Sequence, residues 1–342
     1  MNAKLNSKKY QKKLKLIAGV MFAAFCLLFI WSIYVPKSLS QEPVVLHTIT
    51  DGLGDEDIAR ELEEKGVIAS SLMFKMYVTF TGQQSKLQAG LYDLSPSMSV
   101  AAIVNKLVKG DIAKRKVTII EGWDLEDIGK YLENKKIYSK KDFLDAANKD
   151  YSKEFSFLAG KPKDIGLEGF IFPDTYYVPL IYSPEQFVKL ILGNFDKKLT
   201  PELRAQIAKD KRTIFGVVTM ASILEKEVPS LVDKKIVAGI LWKRIGSGMP
   251  LQVDSTVNYV TGKSDLRVAI KDLQADSPYN TYKYKGLPKG PISSPGMNSI
   301  LGAIYPTKSP YWFYLSAKGT GQTIFSKTYR DHTISIEKYL NS

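Results

Sequence analysis

Residues 117–137 read VTIIEGWDLEDIGKYLENKKI, and seventy positions earlier residues 47–67 read HTITDGLGDEDIARELEEKGV. Identical pairs include Thr48/Thr118, Ile49/Ile119, Gly52/Gly122, Glu56/Glu126, Asp57/Asp127, Ile58/Ile128, Leu62/Leu132, Glu63/Glu133 and Lys65/Lys135. Each copy predicts a short strand, a glycine turn and an amphipathic helix. In the second copy Leu125, Ile128 and Leu132 fall on one stripe, and Asp124 is placed to cap the helix. The copies continue alike: residues 90–110 and 176–192 each read as an aromatic strand, a Ser or Pro turn and a helix. A duplicated βα unit sets the class as α+β. Such units serve as carbohydrate-binding elements or simply as packing units, and the residues alone leave both readings open.

Ahead of the repeat, the first fifteen residues hold six lysines (Lys4, Lys8, Lys9, Lys12, Lys13, Lys15) and no acid. Residues 16–35, LIAGVMFAAFCLLFIWSIYV, carry no charge. At 1.5 Å per residue they span about 30 Å, the thickness of a hydrocarbon core. Trp31 and Tyr34 stand near the far end, where amphipathic rings favour the interface. The basic flank predicts a cytoplasmic N-terminus and a single-pass anchor in the cell membrane, with residues 36–342 outside. No small-residue cleavage site follows Val35, and bulky Phe25 before Cys26 argues against a lipoprotein.

Composition narrows the chemistry. Cys26 is the only cysteine and falls within the apolar stretch, so the outer part has neither disulfide nor thiol nucleophile. His47 and His332 are the only histidines, which leaves little material for a metal site or a Ser-His-Asp triad. Neither a metal nor a cofactor is expected. The net charge is +13, of which roughly +7 lies beyond the N-terminal lysines. On an extracytoplasmic chain this fits an anionic cell-wall polymer or lipid surface rather than nucleic acid, and scattered surface lysines give the same sum.

Further along, residues 200–228 and 231–245 read as helices, 275–296 as a long loop with four prolines, 297–304 as a short helix, and 313–326 as a hairpin before a last helix. On a helical wheel of 214–228, Ile214, Val217, Val218, Ala221, Leu224 and Val228 share one arc, and Glu225 lands inside it. Thr219, Ser222 and Lys226 form the polar side, and Glu227 lies at the arc's edge. A carboxyl among apolar neighbours has a raised pKa and suits a general acid. A carboxylate paired with a cation or a backbone donor at a helix end is the other reading of the same position.

Seven blocks, in order, then carry a resemblance: EGWDLEDI (121–128), LEGFIFPDTYYV (167–178), ASILEKEV (221–228), MPLQVDSTV (249–257), SPYNTY (277–282), GLPKGPISSPG (286–296) and YRDH (329–332). The chain resembles the membrane-anchored endolytic murein transglycosylases of the MltG/YceG type over about residues 45–340. The resemblance implies a tail (1–15), an anchor (16–35), a stalk (36–44), a LysM-like domain (45–112) and a mixed α/β catalytic domain (116–342). The last includes a second LysM-like unit at about 116–192 and a buried helix carrying the acid.

It also implies cleavage of the MurNAc–GlcNAc bond within peptidoglycan glycan strands to leave 1,6-anhydro ends. Cell-wall synthases are the implied partners. Glu225 falls on the catalytic position, with Glu227 as the alternative acid. Glu168, Asp174, Tyr176, Gln252, Asp254, Thr256, Asn280 and Tyr282 are implied to shape the substrate cleft. Lys243-Arg244-Ile245, Ser255 and Gln322 depart from the family pattern. Two rival functions remain at this stage. One is a non-catalytic peptidoglycan-binding or division scaffold; the other is a hydrolytic muramidase with Asp254 as a second carboxylate.

Overall fold

The computed structural model describes residues 2–40, 43–263 and 268–340. The chain forms two compact units, one running to Arg115 and including Pro179–Ile181, the other comprising Lys116–Val178 and the chain from Tyr182.

In the first unit, helix α1 (Asn2–Tyr34) includes the apolar stretch Tyr10–Tyr34, long and apolar enough to cross a membrane. There follow β1 (Val45–Ile49), α2 (Asp55–Glu64), α3 (Ser71–Phe80), β2 (Gly90–Leu94) and α4 (Val100–Val108). Three acids in the first turn of α2 suit the positive end of its dipole, and Ile58 and Leu62 turn one face inward. Ser70 and Ser99 cap α3 and α4. β1 and β2 are antiparallel, Val45 opposite Leu94 and Ile49 opposite Gly90. Phe74, Val78, Tyr92, Ile103 and Leu107 complete the core, and Ile33 of α1 belongs to it.

The same order returns. β3 (Lys114–Thr118) pairs with β4 (Thr175–Pro179), with α5 (Leu125–Asn134) and α6 (Lys140–Ala147) between them and α7 (Pro184–Lys198) after. α5 sits seventy residues beyond α2, end for end, and Asp124 caps it by accepting from Asp127 N–H at 2.8 Å. The second copy has a longer passage between its second helix and second strand, which includes a 3-10 turn at Ser156–Leu158.

Beyond the repeat stand α8 (Pro201–Lys209), α9 (Ile214–Glu227), α10 (Leu231–Gly246), α11 (Asp254–Thr261) and α12 (Met297–Ile304). The hairpin β5 (Phe313–Ser316) and β6 (Thr323–Ser326) and helix α13 (Tyr329–Leu340) close the chain.

α9 corrects the one-sided wheel. Of the expected polar side, Thr219, Ser222 and Lys226, the first two are wholly buried. Ser222 Oγ accepts from Ile292 N–H at 3.0 Å, and its carbonyl accepts from Ser293 Oγ at 3.1 Å. Ser222 thus binds the long loop, Thr219 turns back on its own helix by donating to Phe215 O at 2.8 Å, and of the polar side only Lys226 stays exposed. α11 was not foreseen, because its eight residues are too short for a periodicity to register.

Candidate functional site

The C-terminal end of α9 presents two carboxyls in different surroundings. Glu225 lies not among apolar groups but among donors. Its Oε1 accepts from Lys234 Nζ on α10 at 3.0 Å. Its Oε2 accepts from Gly296 N–H at 2.8 Å and Ser299 Oγ at 2.6 Å. Gly296 is the N-cap of α12 and has no side chain to cap with, so Glu225 caps that helix from a distance. A Cβ at Gly296 would fall 1.8 Å from the Glu121 carboxyl, which explains the glycine. Glu225 therefore ties α9, α10 and α12 together. The expected apolar setting is corrected to that of a paired carboxylate.

Glu227, the last residue of α9, is partly buried, as Glu225 is. Its Oε2 accepts from Tyr314 Oη on β5 at 3.1 Å. Burial pushes its pKa up; donors from Ser255 and Tyr314 oppose that rise, and the charge of Asp254 adds to it. Asp254 opens α11 and accepts from Tyr282 Oη. Burial raises the pKa of Tyr282 and of Tyr314, so both phenols remain donors at neutral pH. Asp254 and Tyr282, two of the expected cleft residues, thus gather around Glu227 rather than Glu225.

A buried guanidinium holds this group in place. Arg244 of α10 donates through Nε to Trp312 O at 2.9 Å and through Nη1 to Leu251 O at 2.6 Å. It grips both the residue just ahead of the strand that bears Tyr314 and the segment leading to Asp254. Its charge lies 5.0 Å from the Phe313 ring, and the His332 ring stacks on Phe313 at 5.2 Å. Lys243 donates to Ser309 O and Tyr311 O, and lies 4.3 Å from the Trp312 ring. Sequence reasoning treated Lys243-Arg244 only as a departure from a pattern.

Gln252 is exposed and left-handed, with φ +52°, a strained conformation for a residue with a side chain. Its N–H donates to Thr281 O at 3.1 Å. Thr256 and Asn280 are buried. Thr256 Oγ1 bonds Val253 O at 2.7 Å and Thr281 Oγ1 at 2.9 Å, and Asn280 Nδ2 bonds Leu273 O and Ala275 O.

The remaining expected residues lie in other networks. Glu168 is buried at the start of α5, accepting from Leu125 N–H at 3.1 Å, Gly169 N–H at 3.3 Å and Tyr259 Oη at 3.4 Å. Burial pushes it up to about 8. Asp174 and Tyr176 share Asn194 Nδ2, at 3.0 and 3.1 Å, beside an open groove between β4 and α7. Burial pushes Asp174 up, but donors from Asn194 and Thr175 and the Lys198 charge hold it below the usual range. These three do not join Glu227. Among the described residues, no group of three or more His, Cys, Asp or Glu side chains could hold a metal ion.

Comparison with known proteins bears on this arrangement. The sequence model of the YceG-like family matches residues 47–338. A Bacillus subtilis protein named endolytic murein transglycosylase is 33% identical over 91% of this chain and 89% of its own length. A Streptococcus pneumoniae protein of the same name is 28% identical over 90% of this chain, which spans 60% of that relative. The crystal structure of a yceG-like protein from Listeria monocytogenes has a TM-score of 0.59 and 34% identity, covering 86% of this chain and 99% of that one.

Proposed function

The chain belongs to the YceG-like family, and from that premise we propose that it is an endolytic murein transglycosylase whose proton donor is Glu227. The relatives named above supply the activity. The observation that favours Glu227 is the contrast along α9. Glu225 is committed to Lys234, Gly296 and Ser299, whereas Glu227 accepts from Tyr314, has no ion pair among the described residues and has its pKa raised by burial beside Asp254.

In this reading Glu227 protonates the oxygen leaving the MurNAc–GlcNAc bond. The resulting carboxylate then takes the proton of the MurNAc C6 hydroxyl as that oxygen closes on C1, leaving a 1,6-anhydro end. No water enters the products, so one carboxyl suffices for proton transfer. Asp254 adds negative charge beside the developing oxocarbenium ion, and Tyr314 stabilises Glu227 once it is deprotonated.

The βααβ order of the first unit supports a LysM-like glycan-binding role for it, and the second copy supports the same reading. α1 is read as a single-pass anchor, its lysine-rich start cytoplasmic and the rest extracytoplasmic, beside cell-wall synthases that extend nascent strands. Product analysis by mass spectrometry tests the activity. Internal cleavage to 1,6-anhydro ends supports it; reducing ends would make Glu227 and Asp254 a hydrolytic pair, and strand binding without cleavage would make the chain a scaffold. Crosslinking in cells tests the synthase partners, and labelling of lysines from either side of the membrane tests the orientation.

A further inference from the structure

α3 lies along the outer end of α1. Tyr77 meets Tyr34 edge-on, with centroids 6.5 Å apart, and Phe80, three residues on, meets Phe29 edge-on at 5.8 Å. As α3 advances from Tyr77 to Phe80, its contacts move back along α1 from residue 34 to residue 29. The C-terminal end of α3 therefore points toward the middle of the apolar stretch. Phe29 lies six residues inside Val35, about 9 Å at 1.5 Å per residue. Ile33 is buried in the first unit's core, so α1 and α3 are packed together as parts of one body. Phe80 is nonetheless 73% exposed.

We propose that Phe80 and the last turn of α3 sit in the outer leaflet of the bilayer, so that lipid covers this face. The proposal rests on the reading of α1 as membrane-spanning. With residues 16–35 in hydrocarbon, a ring packed on Phe29 is carried below the membrane surface with it. The local backbone suits that depth, where polar groups must find partners within the protein. Tyr77 O accepts from Thr81 N–H at 2.9 Å and from Thr81 Oγ1 at 2.7 Å. Val78 O accepts from Gln83 N–H at 2.9 Å, and Thr79 O from Gly82 N–H at 3.2 Å, with Gly82 in the left-handed conformation. Lys86, whose Nζ donates to Gly82 O, has a stem long enough to bring its ammonium to the headgroups. Lipid is preferred to a protein partner because the exposed face of Phe80 is continuous, through Phe29, with the flank of α1 where Phe25 stacks on Phe29 at 6.4 Å and where Phe25 and Phe22 are exposed. The first unit is then held to the membrane at two points, which fixes its tilt.

Spin labels on the full-length chain in liposomes test this. Cys26→Ser removes the native thiol, and Phe22→Cys, Leu72→Cys or Phe80→Cys supplies one label site each, all at exposed positions. Leu72 lies eight residues back on α3, about 12 Å from Phe80. The label at 80 is expected to collide several-fold more with oxygen than with a water-soluble nickel chelate, as at 22, with the reverse at 72. A label at 80 as open to nickel as that at 72, with 22 still in lipid, would overturn the proposal while leaving the anchor standing. Shielding of 80 from both reagents would mean protein covers it and would also overturn the proposal. Nickel access at 22 would remove the anchor reading and this proposal together.

Discussion

Lys234 places its ammonium 3.0 Å from Glu225 Oε1, with the two side chains only 3% and 9% exposed. Two residues further along the same helix, Glu227 has no ion-pair partner among the described residues, and its donors are neutral. The two glutamates of α9 thus differ in their partners, one facing a cation and the other neutral donors.

Glu225→Gln leaves a buried ammonium without its counterion and is expected to cost about 3–5 kcal/mol of stability. Glu225→Gln combined with Lys234→Met should recover much of the loss, because both charges go together. Glu227→Gln should leave the melting temperature unchanged or raise it, since a carboxyl penalised by burial is removed. Thermal denaturation of the variants checks this; equal losses from the two single substitutions would contradict it.

Glu227 works as an acid only while protonated, so its pKa sets the alkaline limb of the pH–rate profile. Asp254→Asn removes a like charge and should move that limb to lower pH. Tyr314→Phe removes a donor to the carboxylate and should move it to higher pH, each by up to about one unit. Shifts in the same direction would show that another group sets the limb.

Arg244 holds the carbonyls of Leu251 and Trp312 with one planar group, a geometry that lysine cannot reproduce. Arg244→Lys should lower kcat by about tenfold or more, with a smaller change in KM, because the neighbours of Glu227 lose alignment. An unchanged kcat in the folded variant would remove Arg244 from this positioning role.

The sequence made the local features readable and left the distant ones hidden. The α5 cap at Asp124 and the apolar stretch of α1 depend on neighbouring residues, so periodicity and spacing reveal them. Glu225 and Glu227 depend on partners far along the chain: Ser299 is 74 residues from the first and Tyr314 is 87 from the second. A helical wheel also assumes that polar positions face water, and on α9 Thr219 and Ser222 do not, because Ser222 binds loop 286–296 and Thr219 bonds back to Phe215 O. Glu168, Asp174 and Tyr176 were grouped with the cleft through the resemblance, yet their hydrogen bonds serve α5, β4 and α7.

Glu168 should leave a mark on stability rather than on chemistry. Its pKa rises from 4.5 to about 8 on folding, so between those values the folded protein keeps a proton that the unfolded chain has released. Its contribution is full below the unfolded pKa and is lost as pH rises through about 8. Glu168→Gln should therefore flatten the fall in melting temperature between about pH 5 and pH 8. The same slope in the variant would refute the assignment.

The most direct measurement is mass spectrometry of glycan strands digested by wild type, Glu225→Gln and Glu227→Gln, at a temperature where all three are folded. The expected result is 1,6-anhydro ends from wild type, a reduced yield of the same ends from Glu225→Gln, and none from Glu227→Gln. Anhydro products from Glu227→Gln at the wild-type rate, with none from folded Glu225→Gln, would contradict the account and return the acid to Glu225.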